Sequence, residues 1–199
     1  MLKKSGEKEK RFFDIIVSSI GLLLTWWLIL IGWIIASIET KSNGMFVQKR
    51  IGKDGRLFHI YKLKTMRNDS EVDTTVTTQR DSRITKSGHL LRRLKIDELP
   101  QLWNVLKGDM SIVGPRPDVP GYADRLEGED RIILSVRPGI TGPASLKYKD
   151  EEALLAMQDD PKRYNDEVIW PDKIRINKAY VQEWSLKKDI YYILKTMKG

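Results

Sequence analysis

Residues 15–38 run for 24 positions without a charged side chain, and no other stretch of this 199-residue chain constrains the fold as tightly. At 1.5 Å per residue a helix over this stretch is about 36 Å long, enough to match the ~30 Å hydrocarbon core of a bilayer. A cleaved leader would have a shorter apolar run followed by a small-x-small site, and neither is found here. A soluble helix buried on every side is rarely this long. The stretch therefore reads as a membrane-anchoring helix. Lys3, Lys4, Lys8, Lys10 and Arg11 precede it, and Lys41, Lys49, Arg50, Lys53 and Arg56 follow it. Positive charge resists translocation, so basic residues on both flanks favour a re-entrant helix with both ends on the cytoplasmic side over a simple span.

The formal charge of +8 and the pI near 9.5 call for an anionic partner: nucleic acid, an acidic membrane surface or a phosphorylated substrate. There is no helix-turn-helix pattern, RNA-binding aromatic motif or zinc signature, so nucleic acid is not the expected partner. The absence of cysteine excludes disulfides, a thiol nucleophile and thiolate metal sites. The two histidines, His59 and His89, are too few for a His-rich zinc site and are expected to serve the surface or packing.

Beyond the anchor, residues 46–51 and 57–63 read as two strands of a hairpin joined by Gly52-Lys53-Asp54-Gly55. Residues 68–82, rich in Thr, Asp and Ser, read as an exposed loop. From Gly88 to Leu106 leucine and valine recur at helical spacing, and Pro100 must break or kink this segment. Asp97 is expected to cap the second half, with Glu98 in its first turn. Residues 118–135 are expected to be helical, 150–169 an acidic helix and loop, and Lys173 to Met197 a basic amphipathic segment that packs on the domain or lies on a membrane. The expected class is α+β and mainly helical: an N-terminal membrane helix over 1–40, then a membrane-associated cytoplasmic domain over 41–199 with a short hairpin and amphipathic interfacial helices.

The chemistry concentrates at residues 96–117. Asp97 and Glu98 follow a cationic run of Arg92, Arg93 and Lys95, and Gly114-Pro115-Arg116-Pro117 is a stiff turn that aims another cation. An isolated Asp-Glu pair is normally a solvated helix start. Paired carboxylates among fixed cations suit a phosphorylated substrate instead: one carboxylate can attack phosphorus while the other holds a divalent ion.

The order of motifs resembles the bacterial sugar transferases, the small monotopic phosphoglycosyl transferases. The resemblance runs through Arg11-x-x-Asp14-Ile15, Gln48-x-Arg50-x-Gly52, Phe58-x-Ile60-Tyr61-Lys62-x-Lys64-Thr65-Met66 and Asp81-x-Arg83-x-Thr85. It continues through Arg92 to Pro117, Arg137-Pro138-Gly139-Ile140-Thr141-Gly142 and Ser185-Leu186-x-x-Asp189. Single pieces such as Arg-Pro-Gly are weak, but seven in one order behind an apolar segment are specific.

This resemblance implies transfer of a phosphosugar from a UDP-sugar to polyprenol (undecaprenyl) phosphate with release of UMP, the step that initiates glycoconjugate assembly. It implies that Asp97 is the nucleophile forming a covalent phosphosugar intermediate, and that Glu98, with Asp97, holds Mg2+. Lys62, Lys64, Arg92, Arg116, Arg137 and Lys149 are the substrate-binding cations it implies. The implied setting is the cytoplasmic face of the bacterial inner membrane, with membrane lipids as partners and a homodimer as the oligomer to test. The readings it displaces are a non-catalytic membrane scaffold and a membrane-tethered nucleic-acid-binding module. Two departures stand out. Where the family usually has a helix-breaking Ser-Pro pair, this chain has Trp26-Trp27, so no proline kink is available. Where many members have Asn-Gly-Arg, this chain reads from Ala144 to Glu152, and Lys149 replaces the arginine without its planar fork. The sugar is not legible from sequence.

Overall fold

The structure, a computed structural model, describes residues 4–67 and 83–198; the expected loop at 68–82 lies outside the described residues. Its first element, α1 (Lys4–Thr40), is one unbroken helix that passes through Trp26 and Trp27 without interruption. A re-entrant form that turns back in mid-helix would need a break, and α1 has none. The reason is local: no proline occurs in the segment, and Ser18 and Thr25 donate to the carbonyls of Asp14 and Gly21 one turn back, leaving the helical ladder intact.

One stripe of α1 docks on the rest of the chain from end to end. Near its start, Lys10 Nζ donates to Asp189 Oδ2 at 2.5 Å, and Asp14 Oδ1 accepts from Ser111 Oγ and the Ile112 amide, both at 3.0 Å. Arg11 donates to the carbonyls of Val105 and Leu106. Midway, Gly21 faces Leu102, and a Cβ on Gly32 would meet Leu63 Cδ1 at 2.5 Å, with Leu91 and Ile96 next to it. Ala36 is fully buried, and Glu39 accepts from the amide and hydroxyl of Ser87. The buried positions 10, 14, 18, 32 and 36 follow the helical repeat. The opposite face, including Phe12, Ile16, Ile20, Leu23, Trp27, Ile31 and Ile38, is exposed and apolar.

The hairpin is as expected: β1 (Met45–Ile51) pairs antiparallel with β2 (Leu57–Leu63), with Gln48 opposite Ile60. Asp54 and Gly55 make the turn at positive φ. Next come α2 (Lys86–Arg93), a 3-10 turn over Ile96–Glu98, and α3 (Gln101–Lys107). Asp97 therefore lies inside the 3-10 turn and caps nothing; Pro100 precedes α3, without a side-chain cap. The break comes earlier than the proline because Lys95 turns left-handed, φ 57°. A short parallel pair follows, β3 (Ser111–Val113) with β4 (Gly139–Thr141). Residues 118–135 form no α-helix, only 3-10 segments at Ala123–Arg125 and Gly128–Ser135. Pro120, Gly121 and Gly128, the last two at positive φ, interrupt helical continuity there.

The remainder is α4 (Pro143–Lys147), α5 (Glu151–Ala156), α6 (Pro161–Tyr164), a π-turn over Asn165–Ile169, α7 (Trp170–Gln182) and α8 (Leu186–Met197). The basic tail is thus two helices, split where the Ser185 hydroxyl caps α8. α8 turns Asp189 inward and leaves Ile190, Tyr191, Leu194 and Met197 exposed, so it both packs and presents an apolar edge. The main core joins Ile60, Val105, Met110, Ile112, Val113, Val136, Tyr180 and Val181. Ile51, Ala123, Ile133 and Leu134 form a second, smaller core.

Candidate active site

Asp97 and Glu98 sit on the 3-10 turn between α2 and α3, directly after Ile96, which packs near Gly32 of α1. The turn is held against the apolar helix because Gly32 has no side chain to keep Leu63 and Ile96 away. The two carboxylates have opposite environments. Glu98, with its side chain 11 % exposed, accepts through Oε1 from Lys62 Nζ of β2 at 3.1 Å and from Arg116 Nη2 at 2.6 Å. Although burial alone would raise its pKa, those two cations, Arg116 foremost, hold Glu98 well below the usual carboxylate range. Asp97, 8 % exposed, buries Oδ1 with no hydrogen-bond partner. Burial first, and the neighbouring Glu98 charge second, push its pKa up to about 6.

Lys62 is pulled down by burial, against the attraction of Glu98. Arg116, with its side chain 46 % exposed, is raised by Glu98. It stands on a turn fixed by close backbone contact: a Cβ on Gly139 would meet the Gly114 amide nitrogen at 2.1 Å, and one on Gly142 the Gly114 oxygen at 2.3 Å. Only glycines allow this approach, which directs the Pro115-Arg116 turn over Glu98.

Of the residues expected from sequence, Asp97, Glu98, Lys62 and Arg116 meet here. Arg92, at the end of α2, lies close enough for its charge to lower the Asp97 pKa, and its guanidinium pairs with Glu152. Lys64 donates to Ser42 Oγ at 2.7 Å, at the far end of α1. Arg137 donates to the Gly108 carbonyl at 2.8 Å and lines a small cavity with Lys10, Asp14 and Ser111, where it braces α3 instead of facing the pair. Lys149 lies exposed on the link between α4 and α5.

Several residues at the site were given no site role from the sequence. Arg50 donates to the Pro117 carbonyl and Gln48, with its Nε buried and unpartnered. Asp118 is pushed up to about 7 by burial, opposed by Lys173, Arg50 and Arg116. Lys173 of α7 pairs with Glu151 at 2.6 Å. The Gln48-x-Arg50-x-Gly52 motif was a usable signal for Arg50. Lys173 had none, because only the tertiary fold brings α7 to the hairpin.

The donor set suits a hard divalent ion that takes one or two carboxylates and completes its shell with phosphate oxygens and water. The orphaned Asp97 Oδ1 beside Glu98 is the observation that fits. Among the described residues no three His, Cys, Asp or Glu side chains gather into a metal site made of protein alone.

The sequence matches the family described as bacterial sugar transferase over residues 6–199. It is 36% identical over 203 residues to the galactosyl transferase CpsE of Streptococcus agalactiae serotype III (strain NEM316), covering 95% of this chain and 41% of that one. It is 35% identical over 193 residues to the UDP-N-acetylgalactosamine-undecaprenyl-phosphate N-acetylgalactosaminephosphotransferase of Aeromonas hydrophila, covering 95% and 43%. It is 35% identical over 198 residues to the undecaprenyl-phosphate glucose phosphotransferase of Komagataeibacter xylinus, covering 96% and 35%. The chain thus spans less than half the length of these three relatives, and their names carry three different sugars. With every described residue from Gly6 onward inside the match and the acidic pair near its centre, the chain belongs to the bacterial sugar transferase family.

Proposed function

We propose that this chain transfers a sugar phosphate from a UDP-sugar to undecaprenyl phosphate, releasing UMP, by way of a phosphosugar held on Asp97. The observation that carries the reading is the divergence within the acidic pair. Glu98 is committed to Lys62 and Arg116, while Asp97 keeps a buried, unpartnered oxygen and a raised affinity for protons. At pH 7 such a carboxylate is mainly ionised yet more basic than an ordinary aspartate, a good balance for a nucleophile. Asp97 attacks the phosphorus next to the sugar, forming an acyl phosphate as the bond to UMP breaks. An oxygen of the acceptor phosphate then attacks the same phosphorus, and Asp97 leaves as its carboxylate. Arg116 and Lys62 keep Glu98 in place and offset charge at the phosphates. Mg2+ held by Glu98 and Asp97 would supply further charge neutralisation.

The outer face of α1 is assigned to the membrane. α1 docks on one domain at both Lys10 and Glu39, about 44 Å apart along its axis at 1.5 Å per residue. A span would require that domain to follow the helix through ~30 Å of hydrocarbon. The reading is a straight helix lying along the cytoplasmic leaflet of the bacterial inner membrane, with both ends on one side and the acidic pair close to the lipid-borne acceptor. The exposed apolar residues of α8 extend the same kind of contact.

The test is UMP release from a panel of UDP-sugars with undecaprenyl phosphate, together with mass spectrometry of protein given donor alone. Acceptor-dependent release and a phosphosugar adduct on Asp97 are expected. Full turnover by Asp97→Asn, without deamidation, would reject the nucleophile.

A further inference from the structure

α5 brings two successive carboxylates to the cationic side of the site. Glu151 accepts from Lys173 Nζ through both oxygens, at 2.7 and 2.6 Å, and Glu152 pairs with Arg92. The helix has little else to hold it. Leu155 is its one buried side chain, and Ala156 and Met157 at its end are exposed. All four paired side chains remain partly open to solvent, the condition under which ion pairs exchange readily for a better anion.

The charge balance gives this position a purpose. Around the Asp97–Glu98 pair stand three further carboxylates, Asp118, Glu151 and Glu152, and the cations Arg50, Lys62, Arg92, Lys95, Arg116 and Lys173. Glu151 and Glu152 are each matched to one of these cations, so Lys173 and Arg92 are already neutralised in the free enzyme. Removing the two carboxylates of α5 frees two positive charges, equal and opposite to the charge of a sugar-linked nucleoside diphosphate. The cations so released already reach the reactive groups: Arg92 acts on Asp97, and Lys173 acts on Asp118.

We propose that Glu151 and Glu152 hold the place of the donor's diphosphate in the free enzyme, and that Arg92 and Lys173 bind that diphosphate once α5 is displaced. The proposal rests on the UDP-sugar reading above. It makes Lys173 a donor-binding residue, and it explains why an acidic segment stands beside a site for an anion. α5 keeps the cations paired when no donor is bound and yields only to a ligand with two negative charges in the right place.

The experiment measures UDP binding to the full chain in lipid nanodiscs. Glu151→Gln with Glu152→Gln should tighten UDP about tenfold. Asp150→Asn, an equal change per site on a neighbouring exposed carboxylate, should stay within about twofold of wild type. In the double-glutamine background Lys173→Met should weaken UDP about tenfold. Amide hydrogen exchange over residues 151–157 of the wild-type protein should rise when UDP is added. Unchanged or weaker UDP binding by the double variant overturns the proposal, as does exchange over α5 that is constant or slower with UDP. A gain from Asp150→Asn equal to that of the double variant also overturns it, because net charge alone would then be the cause. If UDP binds neither the wild type nor the double variant, the donor reading fails and the proposal with it; equal binding to both removes the proposal alone.

Discussion

Replacing Asp97 with asparagine should make the protein more stable while ending turnover. Asp97 is 8 % exposed, its Oδ1 has no partner, and its pKa is raised from 3.8 to about 6. A carboxyl whose folded pKa lies above its unfolded value binds protons more tightly when folded. Keeping it ionised at neutral pH therefore costs folding free energy. Two units at 1.36 kcal/mol each give roughly 3 kcal/mol. The cost is fully present above pH ~6, shrinks as the pH falls, and is absent below ~4. An asparagine of the same shape carries no such cost, so Asp97→Asn should gain up to about 3 kcal/mol at pH 7.5. For a chain of this length that is a Tm increase of about 6–12 °C. The assay is thermal unfolding of both proteins in the same detergent with EDTA at pH 7.5, 6 and 4.5, with Tm compared at each pH so that other titrating groups cancel. The gain should be largest at pH 7.5 and mostly lost at 4.5. An equal or lower Tm for the variant at pH 7.5, or a gain that does not change with pH, would refute the idea that Asp97 is held ionised at the expense of the fold.

Glu98→Gln should do the reverse, losing about 2 kcal/mol, because it strips Lys62 and Arg116 of their shared buried partner; a Tm at or above wild type would contradict this. The kcat/KM for UMP release should fall on acidification as Asp97 is protonated; a rate that does not fall with pH down to about 4 would contradict this. Chelation with EDTA should stop UMP release and added Mg2+ should restore it, whereas undiminished turnover in excess chelator would remove the metal. Single cysteines at Ser5 and Ser42, in a chain with none of its own, should both escape a membrane-impermeant thiol reagent in intact cells; labelling at Ser5 alone would mean that α1 spans.

Much of this site could be read before the fold was known. Asp97, Glu98, Lys62, Arg92 and Arg116 lie in short motifs whose chemistry is local, and the hairpin followed from its turn residues and strand alternation. What could not be read depended on single-residue backbone turns and on which way side chains face. The tail broke into two helices because Ser185 caps a new one, and the charge pattern did not mark that point. Asp97 had every local feature of a cap, yet the left-handed Lys95 ended α2 a turn earlier and made a 3-10 segment. Arg137 belonged to a recognisable motif, but motif membership does not say which way a side chain faces, and it braces Gly108. The bend in α1 was inferred from charge on its flanks. The flanks favour two ends on one side of a bilayer, and an unbroken helix docked along its length satisfies that as well as a bent one.

The seam beneath Gly32 limits how this protein can be taken apart. Cutting the chain after Thr40 to obtain a water-soluble enzyme would remove more than an anchor. Leu63, Leu91 and Ile96 would lose the surface they rest on, Asp189 would lose its ammonium partner, and the Ser111 hydroxyl and Ile112 amide would lose the carboxylate that receives them. Leu91 and Ile96 lead directly to Asp97, and Ser111 and Ile112 lead to Arg116. Solubility would have to be engineered on the outward side of α1, by polar replacements at positions such as Leu23, Trp27 and Ile31, with the inward stripe left as it is. A fragment made by deletion should behave as an unfinished core, with its reactive turn the first part to loosen.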